Sequence, residues 1–411
     1  MRILVINQPL NNHGDESAHK AFMSRLASLA GVNITMLFIG GNPDSIEAFK
    51  VRKDNVSYIR LKPQAGFVAA FKAGINYNMR FLWYLHPLCR RIITYYNNSD
   101  LVICAPGGIC LGGFQNWQHL SLLEVARTLN KPLAYYGRSF GPFPTATKDN
   151  VRFKKAAIRL LNYMGFISIR DKKTELLADN LNLNYESTVD SAFLGSPDKS
   201  LPLEFRQIIG TDKYVVFVPN SLTWHFAFKG KVTDGCVLEF FSRILSVLER
   251  AFPNCKIVLL PQIFNSGDAG GDECFFNAIK SYRNNDDKIV VLSEKINSDY
   301  QQSIISKAEL MVGARYHSIV FALNNATPFV ALSYEHKILG LLETLNKTEN
   351  LIDITHIMDD DESYSSFFPL FEEKIRIAKS DPDARRIAKQ IAGDCFDKFE
   401  VFLRGYESKV I

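Results

Sequence analysis

The chain has 411 residues, of which 47% are hydrophobic, 22% charged and 12% aromatic, and its formal net charge is +5. That length exceeds one ordinary core and implies two domains, while the composition excludes long disorder and a charge excess of the kind that binds nucleic acid. Seven scattered cysteines without a CxxC pair give neither a disulfide framework nor a structural zinc site, and they point to a reducing compartment.

The first residues, MRILVINQPL, read as a strand: the apolar run is short and no small-residue cleavage site follows. No window offers the roughly 18 uncharged apolar residues that a membrane-spanning helix needs. From there strands and helices alternate. Strands are expected at 2–7, 34–39, 100–105, 132–137 and 166–170, with helices at about 15–30, 116–129 and 149–162 and another after Asp171. A Pro- and Gly-bearing stretch, GSPDKSLPLEF (195–205), interrupts the series and sets a boundary near 195–212. The alternation restarts with strands at 214–219, 256–261, 288–293, 309–313 and 328–333, joined by helices at about 234–251, 271–283, 298–307 and 316–325. Near-continuous apolar strands separated by helices mean parallel sheets covered on both faces. The expected architecture is α/β, with two Rossmann-like domains (1–200 and 205–380) facing a cleft and a helical tail in 381–411 that packs back on the first domain. In such sheets ligands bind at the carboxyl ends of the strands.

Those ends carry the candidate residues. INQPLNNHGD places Asn12, Gly14 and Asp15 at a turn that opens a helix, where free N–H groups favour an anion or a sugar hydroxyl; Asp15 as an N-cap and Gly14 as the turn residue is the plainer reading, and the two coexist. LVICAPGGICLGGFQNW supplies Gly107, Gly108, Gly112 and Gly113 as a loop that backbone and ligand can approach closely, without the lysine and Ser/Thr of a P-loop. RSFGPF (138–143) offers Arg138 and Ser139 in a tight turn. Arg170 and Asp171 end the next strand, either as ligand contacts or as a surface pair with Asp171 capping a helix. Asp190 suits a cap. The loop VPNSLTWHF carries Asn220, Ser221 and His225 and is either an acceptor contact or a packed rim. In GARYHSIVFALNNATPFVALSYEHK, Arg315 and His317 fall in the first turn of a helix, beside the positive end of its dipole, and the following strand runs into Tyr334, Glu335, His336 and Lys337. An arginine forks onto carboxylate or phosphate, and an imidazole moves protons near neutrality, so this pair suits a small, multiply charged anion. A histidine bonded in the interior beside an exposed arginine is the structural alternative.

Residues 62–96 hold Lys62, Lys72, Arg80, Arg90 and Arg91, no acidic residue, and eight aromatics. Three uses fit: contact with a membrane surface, an acceptor-binding wall, or ordinary burial of aromatics beneath snorkelling arginines.

The ordered set NNHGD (11–15), APGG (105–108), GRSFGPF (137–143), SIRDKKT (168–174), VDSAF (189–193) and GARYHSIVFAL…PFVALSYEHK (313–337) resembles the polysaccharide pyruvyl transferase family over about residues 1–345. His13 before Gly14 departs from the commoner N-x-G-D form, and the glycine segment has two glycines where many relatives have three. The resemblance implies a GT-B-like fold and transfer of the enolpyruvyl carbons of phosphoenolpyruvate to two hydroxyls of a cell-surface glycan as a cyclic ketal. His317 and Arg315 would be catalytic. Arg170, Arg138, Ser139, Asn12, Gly14, Asp15, Gly107, Gly108 and Lys337 would bind substrate. Phosphoenolpyruvate is then a co-substrate, no cofactor or metal is required, and the DDDE run at 359–362 is a solvated loop. Partners would be a glycan acceptor on a lipid carrier or free, at the inner face of the cytoplasmic membrane. A nucleotide-sugar glycosyltransferase or a non-catalytic glycan-binding subunit are the competing readings.

Overall fold

The computed structural model describes residues 1–196, 200–264 and 271–407; part of the expected linker (197–199) and the end of the expected tail (408–411) lie outside them. The chain divides into two compact units. The first comprises Met1–Leu10, Ser17–Gly195 and Gln390–Ile411, and the second Asn11–Glu16 and Ser196–Lys389.

In the first unit β1 (Arg2–Ile6), β2 (Asn33–Ile39), β3 (Val56–Leu61), β4 (Leu101–Cys104), β5 (Gly107–Gly112), β6 (Leu133–Gly141), β7 (Phe166–Ile169) and β8 (Glu186–Ser187) form one parallel sheet in the order β3-β2-β1-β4-β6-β7-β8. β5 pairs with β6 off that path. Alternate residues feed two cores. Leu4, Ile6, Val102 and Cys104 meet Phe71, Trp83, Ile92 and Tyr96, so the 67–97 helices cover one face. Ile3, Val5, Ile103 and Tyr136 meet Phe22, Phe396, Phe399 and Leu403, so the C-terminal helix Pro382–Glu407 covers the other. Full burial of each such aromatic or branched side chain contributes about 1.5–3 kcal/mol.

The second unit has β9 (Lys213–Val218), β10 (Cys255–Leu259), β11 (Ile289–Val291), β12 (Met311–Gly313), β13 (Phe329–Ser333) and β14 (Leu351–Asp353), all parallel, in the order β11-β10-β9-β12-β13-β14. In both sheets the strand order reverses beside the unit's first strand: between β1 and β4, and between β9 and β12. Such switch points leave a crevice at the strand carboxyl ends, the usual ligand position of doubly wound sheets.

Three local expectations are corrected. The glycine-rich stretch is a strand rather than a loop, because Gly112 lets β5 close on β6; a Cβ there would lie 2.5 Å from the Gly141 carbonyl oxygen. For the same reason Arg138 and Ser139 sit inside the long strand β6 and not in a turn. The DDDE run is exposed, but Asp360 caps the helix Asp361–Ile377 through the Ser363 amide, so it opens a helix. No helix among the described residues is long and apolar enough to cross a membrane, and all seven cysteines are free thiols.

Candidate functional site

In the first unit the predicted residues lie on β5, on β6 and after β7, and serve as a framework. Arg138 is wholly buried. It donates from Nη2 to the Asn7 carbonyl at 2.6 Å, from Nη1 to Gly108 at 3.2 Å, and from Nε to Ala105. It thus ties the segment after β1 to the segment after β4, and soluble anions do not reach it. Gly107 passes close to it: a Cβ would lie 2.9 Å from Arg138 Nη2. The Arg170 guanidinium is buried against the Asp190 carboxylate, and Asp190 also accepts from the Ala192 amide at 2.9 Å. Ser139 donates to Asp171, whose carboxylate accepts from the Thr174 amide at 2.9 Å and so caps the next helix. The capping reading of Asp171 and Asp190 therefore holds, and Arg170 is paired internally. Gly108 is half-buried at the start of β5.

The second unit brings other predicted residues together. The segment 11–16 is held there by an antiparallel bridge from Asn12 to Ile263, by the His13 amide donating to the Gln262 carbonyl at 3.0 Å, and by Glu16 accepting from Ser298 Oγ at 2.9 Å. Both ring nitrogens of buried His13 face oxygens, the Glu16 carboxylate and the Glu294 carbonyl, each at 2.7 Å. Asn12 Oδ1 accepts from the Gly14 amide at 2.6 Å, and Asp15 is buried in the first turn of the helix that follows.

Gly14 lies directly on His317. A Cβ at position 14 would stand 1.8 Å from the imidazole Cγ. His317 is in the first turn of the helix Tyr316–Asn325, and Arg315 is its N-cap residue with extended backbone. The turn is tight because Gly313 leaves room for Ser318, whose hydroxyl donates to the Arg315 carbonyl at 2.6 Å. The Arg315 guanidinium pairs with Asp272. Burial disfavours its charge, and Asp272 together with Tyr334 and Glu335 more than compensates, holding it above the ordinary arginine value. The other Asp272 oxygen accepts from the amides of Gln262 and Ile263 at 3.0 and 2.9 Å. Two buried donors of this cluster, Arg315 Nε and Gln262 Nε2, have no acceptor among the described residues. Buried donors are nearly always satisfied, which makes this pair a candidate contact for an acceptor other than the described residues.

Around this cluster lie groups on two neighbouring strand ends. Lys337, in the first turn of the helix His336–Thr344, is half-buried with its ammonium 3.3 Å from Glu335. The loop after β9 presents Trp224, 52% exposed, with its indole N–H donating to Asn220 Oδ1 at 3.1 Å; Asn220 in turn donates to the Tyr334 hydroxyl. His225 stacks edge-on against Tyr334 at 5.0 Å, and burial pulls its proton affinity below the ordinary histidine range, with Glu335 opposing and Lys337 reinforcing. Buried Leu222 holds a left-handed backbone (φ 57°), uncommon for a bulky residue. Sequence reading passed over Asp272 and Gln262, and gave Tyr334 and Trp224 no role. Tyr334 directly follows β13 and Gln262 lies three residues after β10, the one signal that singles them out. No group of three or more His, Cys, Asp or Glu able to hold a metal occurs among the described residues.

Residues 12–336 match the family model for polysaccharide pyruvyl transferases. The chain belongs to that family. The match begins at Asn12 and takes in Gly14, Arg315 and His317, the residues that meet in the second unit. The amylovoran biosynthesis protein AmsJ of Erwinia amylovora is 22% identical over 312 residues, which is 73% of this chain and 71% of that protein. Among solved structures, a sucrose-phosphate synthase from Thermosynechococcus elongatus superposes with TM-score 0.55 at 10% identity, covering 99% of this chain and 100% of that one. A UDP-N-acetylglucosamine 2-epimerase does so with TM-score 0.56 at 9% identity, covering 97% and 96%. These likenesses establish a GT-B-like fold. The family and the relative AmsJ support a transferase with a role in polysaccharide modification.

Proposed function

We propose that this protein transfers the pyruvyl group of phosphoenolpyruvate to two hydroxyls of one sugar in a cell-surface polysaccharide or its lipid-linked precursor, releasing phosphate. The observation that carries the reading is the cluster at the β9/β12 switch point. Arg315 Nε and Gln262 Nε2 are buried donors without acceptors among the described residues, and His317 lies at the same helix N-terminus as Arg315. A ligand bearing both carboxylate and phosphate suits that set.

His317 donates a proton to the methylene carbon of phosphoenolpyruvate, which turns C2 into an oxocarbenium-like centre. A sugar hydroxyl attacks C2 and gives up its proton. The C2–O bond to phosphate then breaks as a second hydroxyl of the same sugar closes the ketal. Of the two hydroxyl protons, one balances the proton added to the methylene carbon and the other leaves on hydrogen phosphate. Arg315 and Lys337 stabilise the departing phosphate, a type of contribution worth about 2.7–4 kcal/mol where single donors have been removed from such sites. Proton transfer by a positioned imidazole contributes about 10²–10⁴ in rate. Trp224 offers the apolar face of an acceptor sugar a ring to lie on, beside Tyr334.

The test is thermal. Phosphoenolpyruvate at about 100 times its Kd should stabilise the protein by ~2.7 kcal/mol, visible as a higher Tm, while UDP-sugars leave Tm unchanged. A rise with UDP-sugars and none with phosphoenolpyruvate would replace this reading with a nucleotide-sugar glycosyltransferase.

A further inference from the structure

The basic aromatic segment 62–96 is sorted by the fold into two populations. Phe67, Phe71, Trp83 and Tyr96 are buried in the core beneath β1 and β4. Trp83 is the pin: its ring meets Phe71 edge-on at 5.2 Å, and Gly74 leaves space for it, since a Cβ there would lie 2.2 Å from Trp83 Nε1. With Trp83 fixed inward, the helix Phe81–Leu85 presents Phe81, Tyr84 and Leu85 outward at i, i+3 and i+4. Phe81 is 57% and Leu85 68% exposed, and Tyr77, Met79 and Tyr84 are exposed as well.

The same segment carries exposed cations, Arg80 directly before Phe81. Arg80, Arg90 and Arg91 are exposed and form no ion pair with a described residue. Lys62 is also exposed, and Arg152 lies over the Tyr77 ring at 5.0 Å while donating to its hydroxyl at 2.9 Å. Lys72 alone of the five cations in the segment is neutralised, by Asp149 at 2.7 Å. Burial therefore accounts for four of the eight aromatics; Tyr95 is half-buried against the core, and Tyr77, Phe81 and Tyr84 remain outside.

We propose that this face docks on an anionic lipid bilayer, with Phe81, Tyr84 and Leu85 entering the headgroup–acyl boundary and Arg80, Arg90 and Arg91 lying against lipid phosphates. Charge complementarity selects this occupant. A soluble protein partner would have to supply an acidic surface with an apolar centre, whereas an anionic bilayer supplies both layers at the right depths. The proposal is independent of the reaction proposed above.

The experiment is co-sedimentation of the full chain with phosphatidylcholine vesicles, with and without phosphatidylglycerol, together with the oligomeric state in solution. Binding is expected only with phosphatidylglycerol and should weaken as salt rises. Replacing Arg80, Arg90 and Arg91 by Gln should weaken it by about fivefold per residue, the factor corresponding to ~1 kcal/mol for each cation near an anionic surface. A Phe81→Ser/Leu85→Ser double variant should lose binding at every salt concentration with Tm unchanged, since both side chains are already exposed. Absence of vesicle binding by the folded protein would overturn the proposal. So would binding that the two sets of variants leave intact, or a dimer that the double variant converts to monomers, which would assign the face to a second copy of the chain.

Discussion

At position 14 only a hydrogen fits between the chain and the His317 imidazole. That contact explains why a glycine follows His13 better than turn geometry does. Gly14→Ala should displace the imidazole and lower kcat by about 10²–10⁴, the loss expected for removing a positioned acid–base group, with a stability cost of about 1–3 kcal/mol for overpacking. Steady-state turnover and a melting curve separate the two effects, and full kcat in this variant would remove His317 from the mechanism. Trp224 makes a second residue-scale test. Trp224→Ala should raise KM for the glycan acceptor about tenfold, or ~1.4 kcal/mol, and leave KM for phosphoenolpyruvate unchanged, while Trp224→Phe recovers most of the loss. An unchanged acceptor KM would leave the ring as surface. Arg138 and Arg170 teach the opposite lesson. Both were legible as cations at strand ends, yet their side chains are spent on backbone carbonyls and on Asp190, which no spacing in the sequence reveals.

Among the elements, the strands of continuous apolar residues were legible nearly to their ends, because burial on both faces leaves no polar alternation to confuse them. What escaped was decided by pairing rather than pattern. β5 reads as a glycine loop until Gly112 is placed against β6, and β3 is only partly buried at the sheet edge. The helix Trp117–Thr128 carries a prediction of its own. Burial holds its His119 well below the ordinary histidine range, with the buried Arg138 charge adding to the effect. The unfolded chain therefore takes up this proton more readily than the folded one. Stability is full above about pH 6.5 and falls as pH drops below it, by at most ~1.4 kcal/mol per pH unit for one such group. His119→Leu should flatten the pH 5–6.5 arm of a Tm profile, a window above the titration of the lowered carboxylates of Asp100 and Asp149. An arm of unchanged slope would show that His119 is not the group responsible.

On the scale of the whole molecule, one chain builds two doubly wound parallel sheets, and the alternation of strand and helix was enough to expect both. Membership of the pyruvyl transferase family rests on motifs spread over residues 12–336. The segment Asn11–Glu16 belongs to the second unit although β1 belongs to the first, and nothing in its composition announces that. It is the reason that a glycine near the start of the chain packs on a histidine 303 positions later. The central claim is the reaction at that site. The most direct measurement is phosphate release from phosphoenolpyruvate in the presence of lipid-linked acceptors ending in galactose, mannose or N-acetylhexosamine, with product mass recorded and the His317→Ala variant run beside the unaltered chain. Acceptor-dependent release, a product heavier by one ketal-linked pyruvyl group, and a loss of about 10²–10⁴ in the variant are the predicted result. Release without an acceptor, or equal turnover by the variant, would contradict the account.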